Sequence, residues 1–409
     1  MRDTRLAVLF TAVLVDMVGF GIVLPLLPFY AEQLGASPIA VTLLVASFSA
    51  SQLVASPLWG RVSDRRGRKP LLVAGLFASS LSYLIFGLAN SLALLFLSRI
   101  AAGAAGATIA VAQAYVADTT SAEKRAHGIG LLGAASGLGV MLGPAIGGML
   151  SPLGLGAPGF VAAGLCAANG VAALMLLPES RPKEVHLSRG EAATLRGWVT
   201  AMTRFPMGVL LGVYFLAISS FNAMTSVLAL WGEREFALNA AQMGIVFTLA
   251  GGSTVLVRGV VLGRLVKRFG ETRTTRIGAT ALALSLLVLP LVPNRWWLGA
   301  LVPMWAFGAG TLFPSLATLV SQATDPHSQG SVLGGSQVIG GSGRVLGPVW
   351  AGFLFQHVSI QSPFLVGGTL VGLAGVLALR IPRRVRPPAP PTPAKEAAAA
   401  VEAARDVAG

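Results

Sequence analysis

The sequence predicts an all-α polytopic membrane protein, with twelve transmembrane helices in two pseudo-symmetric six-helix bundles. Three observations lead there. The 409-residue chain is 54% hydrophobic and only 11% charged, with a mean hydropathy of +0.73, which leaves too little polar surface to cover soluble domains. Apolar runs of about twenty residues, the length that crosses a bilayer core, recur along the whole chain. The second half of the chain also repeats charged and glycine-rich patterns of the first.

The runs fall at 6–29, 39–59, 71–89, 92–116, 128–150, 158–177, 206–230, 242–262, 274–292, 296–320, 329–352 and 362–380. They are continuously apolar, not alternating, which selects helices over barrel strands. The first run is too long for a signal-peptide core and further spans follow it, so it is read as the first membrane helix. Of the 30 Lys and Arg, 25 lie before helix one, after helices two, four, eight and twelve, or between six and seven, whereas the opposite side holds only Arg234 and Arg295. The positive-inside rule therefore places both termini in the cytoplasm of an inner-membrane protein. The net charge of +14 is topological on this reading, and nucleic acid is not expected as a partner.

The expected domains are an N-terminal bundle (1–177), a cytoplasmic inter-bundle loop (178–205), a C-terminal bundle (206–380) and a disordered cytoplasmic tail (381–409). The loop mixes both charge signs and suits an amphipathic surface helix, and the tail is rich in Pro and Ala. The single cysteine, Cys166, allows no internal disulfide.

GRVSDRRGRKP begins at Gly60 and GRLVKRFGETR at Gly263, an offset of 203 residues. GIGLLGAASGLGVMLGPAIGG (128–148) is echoed by GGSQVIGGSGRVLGPVWAG (334–352), with Pro144 and Pro348 offset by 204. Two independent pairs at nearly one offset indicate duplication of a six-helix unit. Six is even, so both halves share one orientation, and a transport site is expected between them near the membrane midplane.

GRVSDRRGRKP resembles the loop signature between helices two and three of the major facilitator superfamily, and RIAAGAAGA (99–107) is similar to its helix-four Arg-x-x-x-Gly signature. DMVGFGIVLPLLP (16–28) resembles the first-helix signature of the superfamily's twelve-helix drug:proton antiporter branch, which includes tetracycline and multidrug exporters. Gly130, Gly139, Gly143, Pro144, Gly147 and Gly148 match the branch's helix-five signature, G-x8-G-x3-G-P-x2-G-G, at every position. The second-half loop departs from the pattern, with Lys267 where the first half has Asp64. The resemblance covers about 1–380 and implies the major facilitator fold and alternating-access export of lipophilic small molecules in exchange for protons. It also implies a bridge network of Gly60, Asp64, Arg65, Gly67, Arg68 and Asp118 that latches the halves, with Asp64 meeting the start of helix eleven and Arg68 pairing with Asp118. The alternative for that stretch is a solvated loop with a topological role alone. Lipid and protons are the other expected partners, and the chain is expected to act as a monomer without a cofactor.

Asp16 lies ten residues into helix one, about 15 Å deep. An ionisable side chain at that depth is costly and points to function. Asp16 is the expected proton-coupling acid, with Arg99 of helix four as its partner; a permanent structural ion pair is the alternative. Arg99 stays charged and cannot itself carry the proton. Gly139, Gly143 and Gly147 form a small-residue stripe for close helix packing, and Pro144 bends helix five. Arg344 is similarly deep in helix eleven and is expected to pair with substrate or with a polar group of the first half. The expected cavity lining includes Gln52, Gln113, Phe221, Asn222, Met224, Trp305 and Phe313, polar points among aromatic and soft apolar surface. His127, His186, His327 and His357 show no metal-ligand spacing, and no phosphate-binding G-x-x-x-x-G-K-[ST] loop occurs. A proton-coupled importer on the same fold, and a non-transporting receptor or scramblase, are the rival functions.

Overall fold

A computed structural model describes residues 2–106, 108–180, 202–203, 205–324 and 329–382. Most of the inter-bundle loop and all but the start of the tail lie outside the described residues. The described chain is helical without strands. The first half contains α1 (Arg2–Val23), α2 (Leu27–Gln33), α3 (Pro38–Arg66), α4 (Arg68–Gly87), α5 (Leu92–Ala105), α6 (Thr108–Thr119), α7 (Ala122–Leu150) and α8 (Ala157–Leu176). The second half contains α9 (Met207–Phe236), α10 (Ala240–Leu256), α11 (Leu262–Val288), α12 (Leu298–Gln322), α13 (Gln329–His357) and α14 (Ser362–Leu377).

Local chemistry starts and breaks these helices. Ser37 caps α3, accepting from the amide of Ala40 at 3.4 Å with Pro38 in the first turn, and Ser91 caps α5 through Leu94. Asn239 and Gln242 form a reciprocal capping box at α10, both bonds 3.0 Å. The fourth crossing breaks at Gly106 between α5 and α6, where α3 supplies donors to the freed carbonyls. Gln52 Nε2 bonds Gly106 O at 3.2 Å, and Trp59 Nε1 bonds Ala104 O.

Eleven stretches among the described residues are long and apolar enough to span a membrane, and one of them, Ala240–Leu291, is 52 residues long. Straight, it would extend about 78 Å against a core of about 30 Å. It reverses at Gly270 (φ 76°, ψ 165°) and so crosses twice, giving twelve crossings. The charged stretch at Gly60 behaves in the same way. The sequence places a turn there, yet α3 stays helical to Arg66 and the only break is Gly67 (φ 97°, ψ 167°). Gly67 and Gly270 occupy the same place in the two repeats, 203 residues apart. The charges of the repeat have diverged, while the left-handed glycine that reverses the chain is present in both.

The halves meet along two seams, α7 against α10 and α3 against α13, while α7 also packs on α1 and α13 on α9. Apolar side chains such as Met149, Leu174, Met175 and Phe353 remain exposed on the outer faces of the spans, as lipid contact requires.

Candidate functional site

Asp16 and Arg99 are buried, with 5% and 3% of their surfaces exposed. No ion pair joins them, which corrects the pairing expected from the sequence. Ser79 Oγ of α4 donates to Asp16 Oδ1 at 3.1 Å, and the buried Thr108 hydroxyl of α6 lies beside the same carboxyl. Arg99 lies over the Phe86 ring, 5.1 Å from its centroid, with a 3.4 Å contact from Nε to Ser98 Oγ and an Nη2 that has no partner. Both charges therefore pack on one face of α4, at Ser79 and at Phe86, seven residues or about 10 Å apart along the axis. Tyr83 lies between them on α4 and is buried. Its ring occupies the space left by Gly19, where a Cβ would fall 2.6 Å from Cε2.

At the terminus-bearing end, Arg68 joins three helices of the first half. Its Nη1 meets Asp64 Oδ1 at 2.8 Å and Ser63 Oγ at 2.9 Å, and its Nε meets Asp118 Oδ2 at 2.9 Å. The expected Arg68–Asp118 contact is present. Glu179 Oε1 accepts from the Arg68 amide at 2.9 Å and caps α4, a contact not anticipated from sequence. The segment before α13 and several side chains at its start lie outside the described residues, and with them the expected Asp64 contact to helix eleven. Gly60 and Arg65 are exposed.

The glycine stripe of α7 serves two neighbours. A Cβ at Gly139 would lie 2.5 Å from Met17 Cβ, one at Gly143 2.6 Å from both Gly21 Cα and Val18 O, and one at Gly147 would overlap Ile22 O, all on α1. Gly148 faces α10 instead, where its Cβ would lie 3.0 Å from Ala241 O. The second half repeats this arrangement, with Gly343 and Gly347 against α9 and Gly352 against Thr42 and Ile39 of α3. At this end the halves are also joined by Arg234 Nη2 to Glu32 Oε1 at 3.2 Å, by Arg234 over Phe355 at 5.0 Å, and by Gln356 Oε1 accepting from the Ile39 amide at 3.2 Å. Sequence reasoning used Arg234 only as a topology marker and passed over Glu32. The rarity of basic residues on that side was the available signal.

Contact along the seams fades towards the termini. A Cβ at Gly137 would reach Val255 at 3.4 Å and one at Gly341 would meet Leu53 Cδ1 at 2.5 Å. Beyond them, Gly60, Gly130, Gly133, Gly259, Gly263 and Gly334 have nothing within 4 Å of a Cβ position. Among the described residues, the bundle is thus closed at the Glu32–Arg234 end and splayed at the terminus end.

The expected cavity residues divide. Met224 and Trp305 are 1% and 3% exposed and belong to the packed core, a correction to their placement in the lining. Gln52 is committed to the α5–α6 break, and Asn222 Nδ2 bonds Ile218 O of its own helix at 2.8 Å. Phe221 and Phe313 pack edge-to-face at 5.7 Å and Tyr214 joins Phe313 at 6.1 Å, all three half-buried. Gln113 is exposed, and Arg344 is half-buried without an ion pair or hydrogen bond among the described residues.

The family model described as Major Facilitator Superfamily matches residues 9–348. The Salmonella ordonez protein named tetracycline resistance protein, class D is 31% identical over 384 residues, covering 92% of this chain and 96% of its own. Multidrug resistance protein 2 of Bacillus subtilis (strain 168) is 29% identical over 383 residues, covering 91% and 94%. Among solved structures, the human organic anion transporter MFSD10 superposes with a TM-score of 0.70 at 24% identity, covering 92% of this chain and 99% of that one. The nucleoside transporter NupG superposes with a TM-score of 0.74 at 13% identity, covering 92% and 97%.

Proposed function

The chain belongs to the Major Facilitator Superfamily, and from that membership we propose that it is a secondary active exporter, moving lipophilic small molecules outward in exchange for protons by alternating access. The observation that carries the proposal is the asymmetry of the seam glycines. Seam helices α7 and α13 carry glycines towards both ends: Gly148 and Gly352 touch the opposite half, whereas Gly130, Gly133 and Gly334 face open space. A small residue in open space gains nothing there. It becomes necessary if the terminus end closes in a second state, as rocking of one half against the other requires.

Direction follows from the relatives, which are named for tetracycline and multidrug resistance, so the importer alternative is not favoured. The distribution of Lys and Arg supports a cytoplasmic-membrane location with the splayed end and both termini inside. The structure is then the inward-open, outward-closed state.

Asp16 is the coupling acid in this mechanism. Proton uptake and release there changes the charge that the α1–α4 contact must hold, and α1 carries the change directly to Gly139, Gly143 and Gly147 of seam helix α7. Arg99, with an unmatched Nη2, offers the ionised acid a cation to move towards. The decisive experiment is substrate efflux from loaded proteoliposomes under an imposed proton gradient. Wild-type efflux should stop with a protonophore, and Asp16→Asn should exchange substrate without accumulating it. Accumulation by Asp16→Asn, or wild-type flux indifferent to the protonophore, would remove proton coupling.

A further inference from the structure

We infer that Arg344 is a substrate-recognition residue, and that the transported molecules include lipophilic compounds bearing an anionic oxygen group, a carboxylate or an acidic enol, which Arg344 binds. The inference rests on the transport reading above and adds the chemistry of the cargo.

The orientation of Arg344 follows from its neighbours on α13. At about 100° per residue, the exposed apolar side chains Val338, Leu346, Val349 and Phe353 fall within one arc of about 80°, the lipid face. Gly340, Gly343 and Gly347 approach α9, while Gly341 and Gly352 approach α3. Arg344 lies between these two directions and about 160° from the middle of the lipid arc, so it points between the halves. It is half-buried there.

A guanidinium at that depth is paired or faces a polar cavity, and among the described residues no acid forms an ion pair with it. Between residues 206 and 380 the acids are Glu233, Glu235, Glu271 and Asp325; Glu233 and Glu235 lie in the last turn of α9, and Glu271 follows the reversal at Gly270. In the first half the acid at membrane depth is Asp16, engaged by Ser79 at the α1–α4 contact. A fixed structural role would show carbonyl or carboxylate partners, as Arg276 does with Ala378 O at 3.1 Å and Ile381 O at 3.0 Å. Arg344 has none. What lies beside it is apolar and aromatic: the Tyr214 ring packs on Gly340, one turn away, and edges onto Phe313, which in turn meets Phe221. A cation next to an aromatic platform, facing a space open at one end, fits a molecule with an apolar body and one acidic group. The planar guanidinium fork matches a carboxylate in two parallel bonds.

The test is equilibrium binding to the purified full-length protein of a lipophilic fluorescent carboxylic acid and of its uncharged methyl ester. A charge-assisted hydrogen bond predicts an acid preference on the order of tenfold or more. Arg344→Gln should erase that preference while the ester binds as before, and Arg344→Lys should keep part of it. Equal binding of acid and ester by wild type overturns the inference, and this comparison needs no variant to fold. An acid preference that survives Arg344→Gln overturns it equally. No gradient is present, so the result separates from the exporter proposal. Selective binding without proton-driven efflux leaves recognition standing and removes the exporter; efflux without selectivity does the reverse.

Discussion

Gly244→Ala isolates a contact at the closed, Glu32–Arg234 end of the bundle. A Cβ at position 244 would lie 2.7 Å from Pro144 O, 2.9 Å from Gly148 Cα and 3.3 Å from Gly148 N. Carbon–carbon contacts are optimal at about 3.5–4.0 Å, so the methyl overlaps by roughly half an ångström or more. All three atoms are backbone of α7, and no rotamer change relieves the overlap. The relief available is separation of the halves along the α7–α10 seam. Overpacking of this kind costs about 1–3 kcal/mol, and about 1.4 kcal/mol is a tenfold change in an equilibrium. The population closed at that end should fall relative to the one open there by roughly 5- to 150-fold. Cysteines replacing Ile39 and Gln356, which touch across the other seam at 3.2 Å, report closure by cross-linking in a Cys166→Ser background. Cross-linking should drop in Gly244→Ala and hold in Gly130→Ala, whose added methyl meets open space in this state. Folded Gly244→Ala protein that cross-links like its parent would refute the reasoning.

The same cross-link should weaken in Arg234→Ala, which loses the 3.2 Å ion pair to Glu32 and the stacking on Phe355; both are partly exposed, so about 1 kcal/mol is expected. Gly143→Ala should behave oppositely, because its methyl strikes Gly21 and Val18 within one half: the melting temperature falls, while the cross-linking ratio among folded molecules stays constant. Gly67→Ala and Gly270→Ala both force a left-handed φ on an alanine, costing about 1–3 kcal/mol. Gly67→Ala should melt lower, since its Cβ also lies 2.5 Å from the Glu179 carboxylate that caps α4, whereas that of Gly270 meets nothing.

Sequence alone determined the twelve crossings, the duplication and the charge asymmetry, because each is a property of residues near one another in the chain. An apolar run long enough for the bilayer is helical wherever its neighbours lie, and a cluster of arginines marks one side of a membrane without any tertiary contact. The special backbone at Gly67 and Gly270 was legible as a repeated glycine, although the sequence alone placed a wider turn around the first. Contacts between helices required the tertiary structure. Asp16 and Arg99 are separated by 83 residues, and whether they pair depends on how α1 and α5 pack against α4, which put Ser79 beside one and Phe86 beside the other. Met224 and Trp305 carry the same side-chain chemistry whether they line a cavity or fill a core, and helix rotation put them in the core. Glu32 and Arg234 lie 202 residues apart and meet only through the packing of one half on the other. A helix's composition gives its membrane depth, but its rotation and partners come from packing, and the site is built from those.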